Sequence, residues 1–258
     1  LPPSSGSPDP GAFAWVLRAG VSPPVRAFLT RVDLAGEAAK HEPSGRHPGR
    51  KTMTFRTEQE AFWAGGFGDD YMSRNQGEKL ITSNVVLFGN ILRSAPGVRS
   101  VVELGCNIGL NLQALNRIDP EIALRGYEIN PNAAQKARDL GIAEIHQKTI
   151  LETLPHEGQH DLAFTKGVLI HIHPDELPRV YDNLFALSRR YILVCEYYNP
   201  SPVTVTYRGN ADRLFKRDFA GELMDRFGLR LVDYGFTYRR DNYFPQDDST
   251  WFLLEKPL

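Results

Sequence analysis

From Arg99 onward the chain alternates short apolar runs with longer segments of helical period, and that alternation leaves few folds open. "RSVVEL", "IALRGYEI", "AEIHQKTI", "HDLAFTK" and "RRYILVCEYY" read as strands of a sheet buried on both faces. Between them, "GLNLQALNRI", "NPNAAQKARDLG" and "PDELPRVYDNLFALS" read as helices, the second with Pro131 at an early position and Gly141 as its stop. "RLFKRDFAGELMDRFG" predicts one more helix after the fifth strand. Strands alternating with helices argue for a parallel sheet covered by helices on both sides. "LRLVDYGFTY" and "STWFLLEK" then follow with no helix between them, so they should pair antiparallel. The expected fold is α/β: a seven-stranded, mostly parallel sheet with an antiparallel last strand.

Residues 98–258 make up this expected domain. The preceding residues 53–97 hold "EAFWAGGFGDDYMSRN", with Trp63, Phe67 and Tyr71 around glycines, and then the helix "EKLITSNVVLFGNILRSA". Two readings stand for the aromatics: an N-terminal helical lid over a ligand, with Tyr71 facing substrate, or plain core packing. Residues 1–52 hold 8 of the 18 prolines and no lasting periodicity, so they read as a flexible or non-native tail. The first Met is Met53, and the native start is expected near it.

Formal net charge is −1, which gives no electrostatic reason to expect nucleic acid or an anionic membrane as partner. No apolar run approaches the roughly 20 residues that span a bilayer. The two cysteines, Cys106 and Cys195, sit at strand ends without metal-like spacing, so a cytoplasmic protein without disulfides is expected.

The first strand breaks into a turn in "VVELGCNIGLN". A dinucleotide-binding turn has the pattern G-x-G-x-x-G. Here the glycines are Gly105 and Gly109, and Asn107 replaces the middle glycine, where its side chain would crowd a pyrophosphate. No Gly-Lys-Ser/Thr follows, so the P-loop pattern fails as well. A ligand without a pyrophosphate suits this looser turn better, although the glycines also suit a bare strand-to-helix turn. Glu128, about 25 residues past Glu103, ends the second strand, where a carboxylate can accept from two ribose hydroxyls. Ile129 beside it can pack on a base.

Turn and acid together resemble the class I S-adenosylmethionine-dependent methyltransferases, a Rossmann-like family. The resemblance implies S-adenosylmethionine as cofactor and S-adenosylhomocysteine as product. It implies that Glu103, Gly105 and Gly109, with Cys106 and Asn107 between them, line the methionine half. Glu128 would take the ribose and Ile129 the adenine. Thr149 and Ile150 would lie at the adenine edge, where many members carry an Asp and this chain has "QKTI". Lys166 and Gly167 would approach the sulfonium and amino groups, and Arg74 would meet the methionine carboxylate.

The acceptor side should come from the segment before the first strand, the loop after the fourth and the region after the fifth. "KGVLIHIHPDE" offers two histidines; the resemblance, whose members often carry a similar L-x-H-x stretch, implies His171 as leading general base and His173 as second, against a packed, hydrogen-bonded histidine or a metal site with Asp175. No metal is expected. Glu196 at the end of the fifth strand is a further catalytic candidate, with Tyr198 beside it facing substrate. Arg208, Arg213, Lys216 and Arg217 gather with Tyr207 and Asn210, as suits an anionic acceptor or a solvated helix face. Gln246, Asp247 and Asp248 in "NYFPQDDSTWF" would hold an amino group or hydroxyls, or cap a turn.

"TEQEAFWAGGFGDDYMSRN", "FTKGVLIHIHPDELP", "EYYNPSPVTVTYRGNADRLFKRDFAGELMD" and "FPQDDSTWFLLEK" together look like the pseudaminic acid biosynthesis-associated methylases. That resemblance implies methylation, at O or N, of a small acidic sugar-like acceptor such as a nonulosonic acid or its nucleotide conjugate. A methyltransferase on an unrelated small molecule or amino acid side chain, a non-catalytic cofactor-binding protein in a biosynthetic assembly and a dehydrogenase stay open.

Overall fold

The computed structural model describes residues 55–74, 77–155, 159–207 and 210–257, without the side chains of 210–212. The expected tail over 1–52 and Arg208 lie outside the described residues, as does the side chain of Asn210.

Five strands run parallel: β1 (Ser100–Leu104), β2 (Ala123–Glu128), β3 (Glu144–Gln147), β4 (His160–Lys166) and β5 (Ser188–Glu196). They alternate with α4 (Leu110–Ile118), α5 (Pro131–Asp139) and α6 (Leu177–Leu187). The chain closes with α7 (Phe219–Phe227), β8 (Arg230–Phe236) and β9 (Thr250–Glu255). β9 runs antiparallel to both β5 and β8, giving the sheet order β3-β2-β1-β4-β5-β9-β8. The expected seven-stranded sheet is therefore present.

The period-2 geometry of a strand sends neighbouring residues to opposite faces. Val101, Leu162, Phe164 and Leu193 join one buried cluster with Phe88, Ile91 and Leu115. Val102, Ala163, Ile192 and Val194 join a second with Val180, Leu184 and Leu223. Two apolar layers clamp the sheet, so its central strands are buried on both sides.

Ahead of the sheet lie α1 (Glu58–Ala64), α2 (Gly66–Arg74) and α3 (Glu78–Leu92). α1 opens on an N-cap: Thr57 Oγ1 accepts from the Glu60 amide at 3.1 Å. Gly68 permits the tight corner between α1 and α2, because a Cβ there would stand 2.1 Å from the Trp63 carbonyl oxygen.

One element differs from expectation. The helix predicted from Arg213 begins only at Phe219, and the residues before it form a hairpin of β6 (Val203–Tyr207) and β7 (Asn210–Lys216). Val203, Val205 and Tyr207 alternate with threonines, a strand period. Asp218 stops the helix from extending backward, since its Oδ1 accepts from the Gly221 amide at 2.8 Å as an N-cap.

Candidate functional site

β1 has β2 on one side and β4 on the other, so the connections leaving their carboxyl ends diverge. Such a switch point opens a crevice in α/β sheets. A cavity of about 440 Å³ lies there, within the few-hundred-Å³ range of small-molecule sites.

The turn after β1 forms one wall. Gly105 has φ +81°, and a Cβ on it would meet Val168 Cγ2 at 2.6 Å, so only glycine lets the two loops touch. Asn107 adopts φ 49°, a left-handed state that Asn tolerates. Its amide donates to Glu128 Oε2 at 2.8 Å, while the Asn130 amide donates to Oε1 at 2.8 Å. Each carboxylate oxygen keeps acceptor capacity beyond that bond. Burial pushes the Glu128 carboxyl up, and these backbone amides work against the push. Gly105, Cys106, Asn107, Glu128, Ile129, Thr149, Ile150, Lys166 and Gly167 all line the cavity.

Two residues expected in the methionine half lie behind that wall. Gly109 has φ +78° ahead of α4 and packs against α5, where a Cβ would meet Leu140 at 3.0 Å. Glu103 is fully buried, and its Oε1 accepts from Asn111 Nδ2 at 2.6 Å. Burial pushes its carboxyl to about 8. Asn111, not Glu103, reaches the cavity.

Both histidines line the cavity, differently held. His171 Nδ1 donates to the Arg213 carbonyl at 2.7 Å, so the neutral ring carries its lone pair on Nε2. Its ring lies 4.6 Å from that of Trp63 and 5.0 Å from that of Tyr207. His173 caps the following 3-10 turn, accepting from the Asp175 amide at 3.3 Å. Among the described residues, no group of three or more His, Cys, Asp and Glu is placed to hold a metal ion.

Glu196 does not reach the cavity. Its Oε1 accepts from the amides of Val168 and Leu169 at 3.0 and 3.1 Å, which ties down the loop after β4. Burial raises its carboxyl to about 7 against those bonds. Tyr198 is exposed and lies beside Phe252, outside the cavity.

The basic residues expected to meet an anion are dispersed. Arg213 pairs with Glu58 at 3.0 Å and lies over the Phe62 ring. Arg217 pairs with Glu222, and Lys216 Nζ sits 5.2 Å from the Tyr197 ring centroid. Alternation along β7 sends Arg213 and Lys216 to opposite sides of the hairpin, a separation that a helix reading hides. Arg74 lies over Phe67 and does not line the cavity. Asp248 pairs with Arg239 at 3.3 Å, whereas Tyr71 and Asp247 do line the cavity.

Sequence reasoning missed several wall residues, Glu60 of α1, Asn84 of α3 and Arg239 between β8 and β9, whereas Trp63 and Gln246, both expected near a ligand, do line the cavity. It also missed Asn130. That side chain caps α5 through Oδ1 and donates from Nδ2 to the Trp63 carbonyl at 3.3 Å and Asp69 at 3.1 Å. The capping-box pattern Thr57-x-x-Glu60 and the Asn130-Pro131 helix start were the available signals.

Burial holds both His171 and His160 down to about 4. An unfolded histidine titrates near 6.5. Between those values these two rings bind more protons in the unfolded chain, so their contribution to stability is fully present above about pH 6.5 and falls as pH drops toward 4. Glu103 and Glu196, raised to about 8 and 7, pull the other way as pH falls, so the test is the difference between proteins: from pH 7 to 4.5, Tm should change less favourably in wild type than in His171→Gln. Equal changes would contradict the burial of His171.

The sequence matches no family model and no curated protein. Solved structures do match. Magnesium protoporphyrin IX methyltransferase from Synechocystis PCC 6803, with S-adenosylhomocysteine bound, aligns with a TM-score of 0.56 at 15% identity, over 78% of this chain and 100% of that one. The plantazolicin methyltransferase BpumL, also with S-adenosylhomocysteine, gives 0.57 at 14% identity, over 78% and 94%. DesVI of Streptomyces venezuelae gives 0.55 at 12% identity, over 75% and 99%. The chain thus has the Rossmann-like fold of S-adenosylmethionine-dependent methyltransferases: a seven-stranded, mostly parallel sheet with one antiparallel strand.

Proposed function

We propose that the protein is an S-adenosylmethionine-dependent methyltransferase acting at O or N of a small acidic, sugar-like acceptor of the nonulosonic acid type. The observation that carries the donor half is Glu128. A buried carboxylate at the end of the second strand is aligned by two backbone amides at 2.8 Å on the cavity wall, with acceptor capacity left for two ribose hydroxyls. Ile129 and Ile150 would flank the base, and the Asn107 and Lys166 side chains would face the amino acid end. When bound, the cofactor supplies a methyl group activated by a sulfonium.

The chain's own residues orient the acceptor and take up its proton. His171 Nε2 is the proposed proton acceptor, and its tautomer is held by the Arg213 carbonyl. The cavity wall also includes Asn84 of α3, Lys166, Arg239, Gln246 and Asp247. Lys166, Arg239 in its pair with Asp248, two amides and a carboxylate suit an anionic, polyhydroxylated acceptor. This support is separate from the β7 cations, which are engaged elsewhere. Residues 53–97 would act as the lid, with α1 and α2 contributing Trp63 and Tyr71 to the wall. A cytoplasmic location suits a nucleotide-sugar acceptor. Among the described residues no helix is long and apolar enough to cross a membrane.

The test is a methyl-donor assay of the full chain against nucleotide sugars and free nonulosonic acids, read by mass spectrometry. An acidic sugar should gain one methyl mass while S-adenosylhomocysteine accumulates. Methylation of an unrelated acceptor alone would overturn the sugar reading. Failure to bind either cofactor form would overturn the donor reading.

A further inference from the structure

The cavity end next to β3 is walled by Thr149 and Ile150, and residues 147–150 contain no acid. An adenine ring carries one exocyclic amine, a donor that needs an acceptor when buried. Among the described residues, three carboxylates line the cavity: Glu60, Glu128 and Asp247. Glu128 ends β2, is bonded to the Asn107 and Asn130 amides, and is assigned above to the ribose hydroxyls. Asp247 belongs to the loop between β8 and β9, whose neighbouring Gln246 donates to the Ser83 carbonyl of α3 at 2.8 Å. Glu60 is the carboxylate at the β3 end, because Thr149 Oγ1 donates to its Oε1.

Glu60 comes from α1, not from the sheet. It is only 7% exposed, and its Oε2 accepts from the Arg56 amide at 2.6 Å. Thr149 keeps its own place by accepting from the Leu151 amide at 3.1 Å. The other end of α1 is held by Asn130, whose amide is bonded to Glu128. One short helix thus touches the base end of the cavity through Glu60 and the ribose end through Asn130.

We propose that Glu60 accepts a hydrogen bond from the exocyclic amine of the purine at Oε1, so that α1, already bonded to Thr149, also reads the base. This rests on the donor assignment above. The amine would become a third partner of a carboxylate that already bridges the Arg56 amide and Thr149.

The carboxylate accepts on both sides, and its amide isostere cannot. In Glu60→Gln the Arg56 amide, a donor, selects the amide oxygen for its side. The NH2 group then faces Thr149, which can turn to accept it, and the base. A base bearing a carbonyl in place of the amine would suit that arrangement.

Isothermal titration of the full chain with S-adenosylhomocysteine and with its deaminated analogue, in which a carbonyl replaces the amine, tests this. Wild type should prefer the amine by about 10- to 100-fold, the range for a hydrogen bond to a charged group. Glu60→Ala should reduce the preference to about 3-fold or less. Glu60→Gln should bring it to parity or reverse it, and this arm stands even where the alanine variant fails to fold. Retention of the wild-type preference in a folded variant would overturn the role of Glu60. Binding of neither nucleoside by wild type would overturn the donor assignment itself, and this inference with it.

Discussion

Glu128→Ala is expected to weaken S-adenosylhomocysteine binding at least about 100-fold, the largest loss of affinity from any one substitution in the wall. The carboxylate does two jobs. It holds the Asn107 and Asn130 amides at 2.8 Å each, and so fixes the turn after β1 relative to the start of α5. It also keeps acceptor capacity for ligand hydroxyls. Hydrogen bonds to a charged group contribute about 1.5–3 kcal/mol each, and an amide left buried without a partner costs about 1–3 kcal/mol. Losing one ribose contact and loosening one amide therefore suffices for a 100-fold effect. Glu128→Gln keeps the volume but sets an NH2 group against one of two donors, so it should also bind poorly. Calorimetry checks affinity, and circular dichroism checks that the sheet is intact. Binding within about 5-fold of wild type by a folded Glu128→Ala would remove Glu128 from the ribose site.

The parts of the molecule that were legible in the sequence are those set by local pattern. Val101-Val102 and Leu193-Val194 announce strands buried on both faces, because a doubly covered strand has no polar side. The lack of a helix between β8 and β9 announces their antiparallel pairing. Glu128 was legible because a strand end and a spacing placed it beside the Gly105 turn. The rest depends on contacts distant in sequence. Glu60 meets Thr149 across 89 residues, and Asn130 meets α1 across 67. Glu196 carries a carboxylate at a strand end just as Glu128 does, yet it faces the amides of residues 168–170. Pattern alone does not separate the two. The basic run of β7 misled for a further reason: its residues fit a helical period as well as an alternating one, and only the Asp218 cap decides where the helix starts.

His171→Ala is expected to lower kcat by about 100-fold with little change in the KM for the methyl donor. General bases contribute typically 10²–10⁴, most when their pKa lies near the working pH. Burial holds His171 down to about 4, so its lone pair is free at neutral pH but only weakly basic, which favours the low end of that range. The pH profile carries a second signature. An unperturbed histidine would give an acid limb near 6.5. With His171 held near 4, kcat should stay level from pH 8 down to about 5, and fall only below that. His171→Gln separates base from packing, because it preserves a donor toward the Arg213 carbonyl but offers no proton acceptor of comparable strength. It should be as slow as alanine while unfolding closer to wild type. A glutamine variant that turns over at the wild-type rate would reduce His171 to a packed residue that seats Trp63 and Tyr207. The acceptor proton would then leave through His173 or solvent.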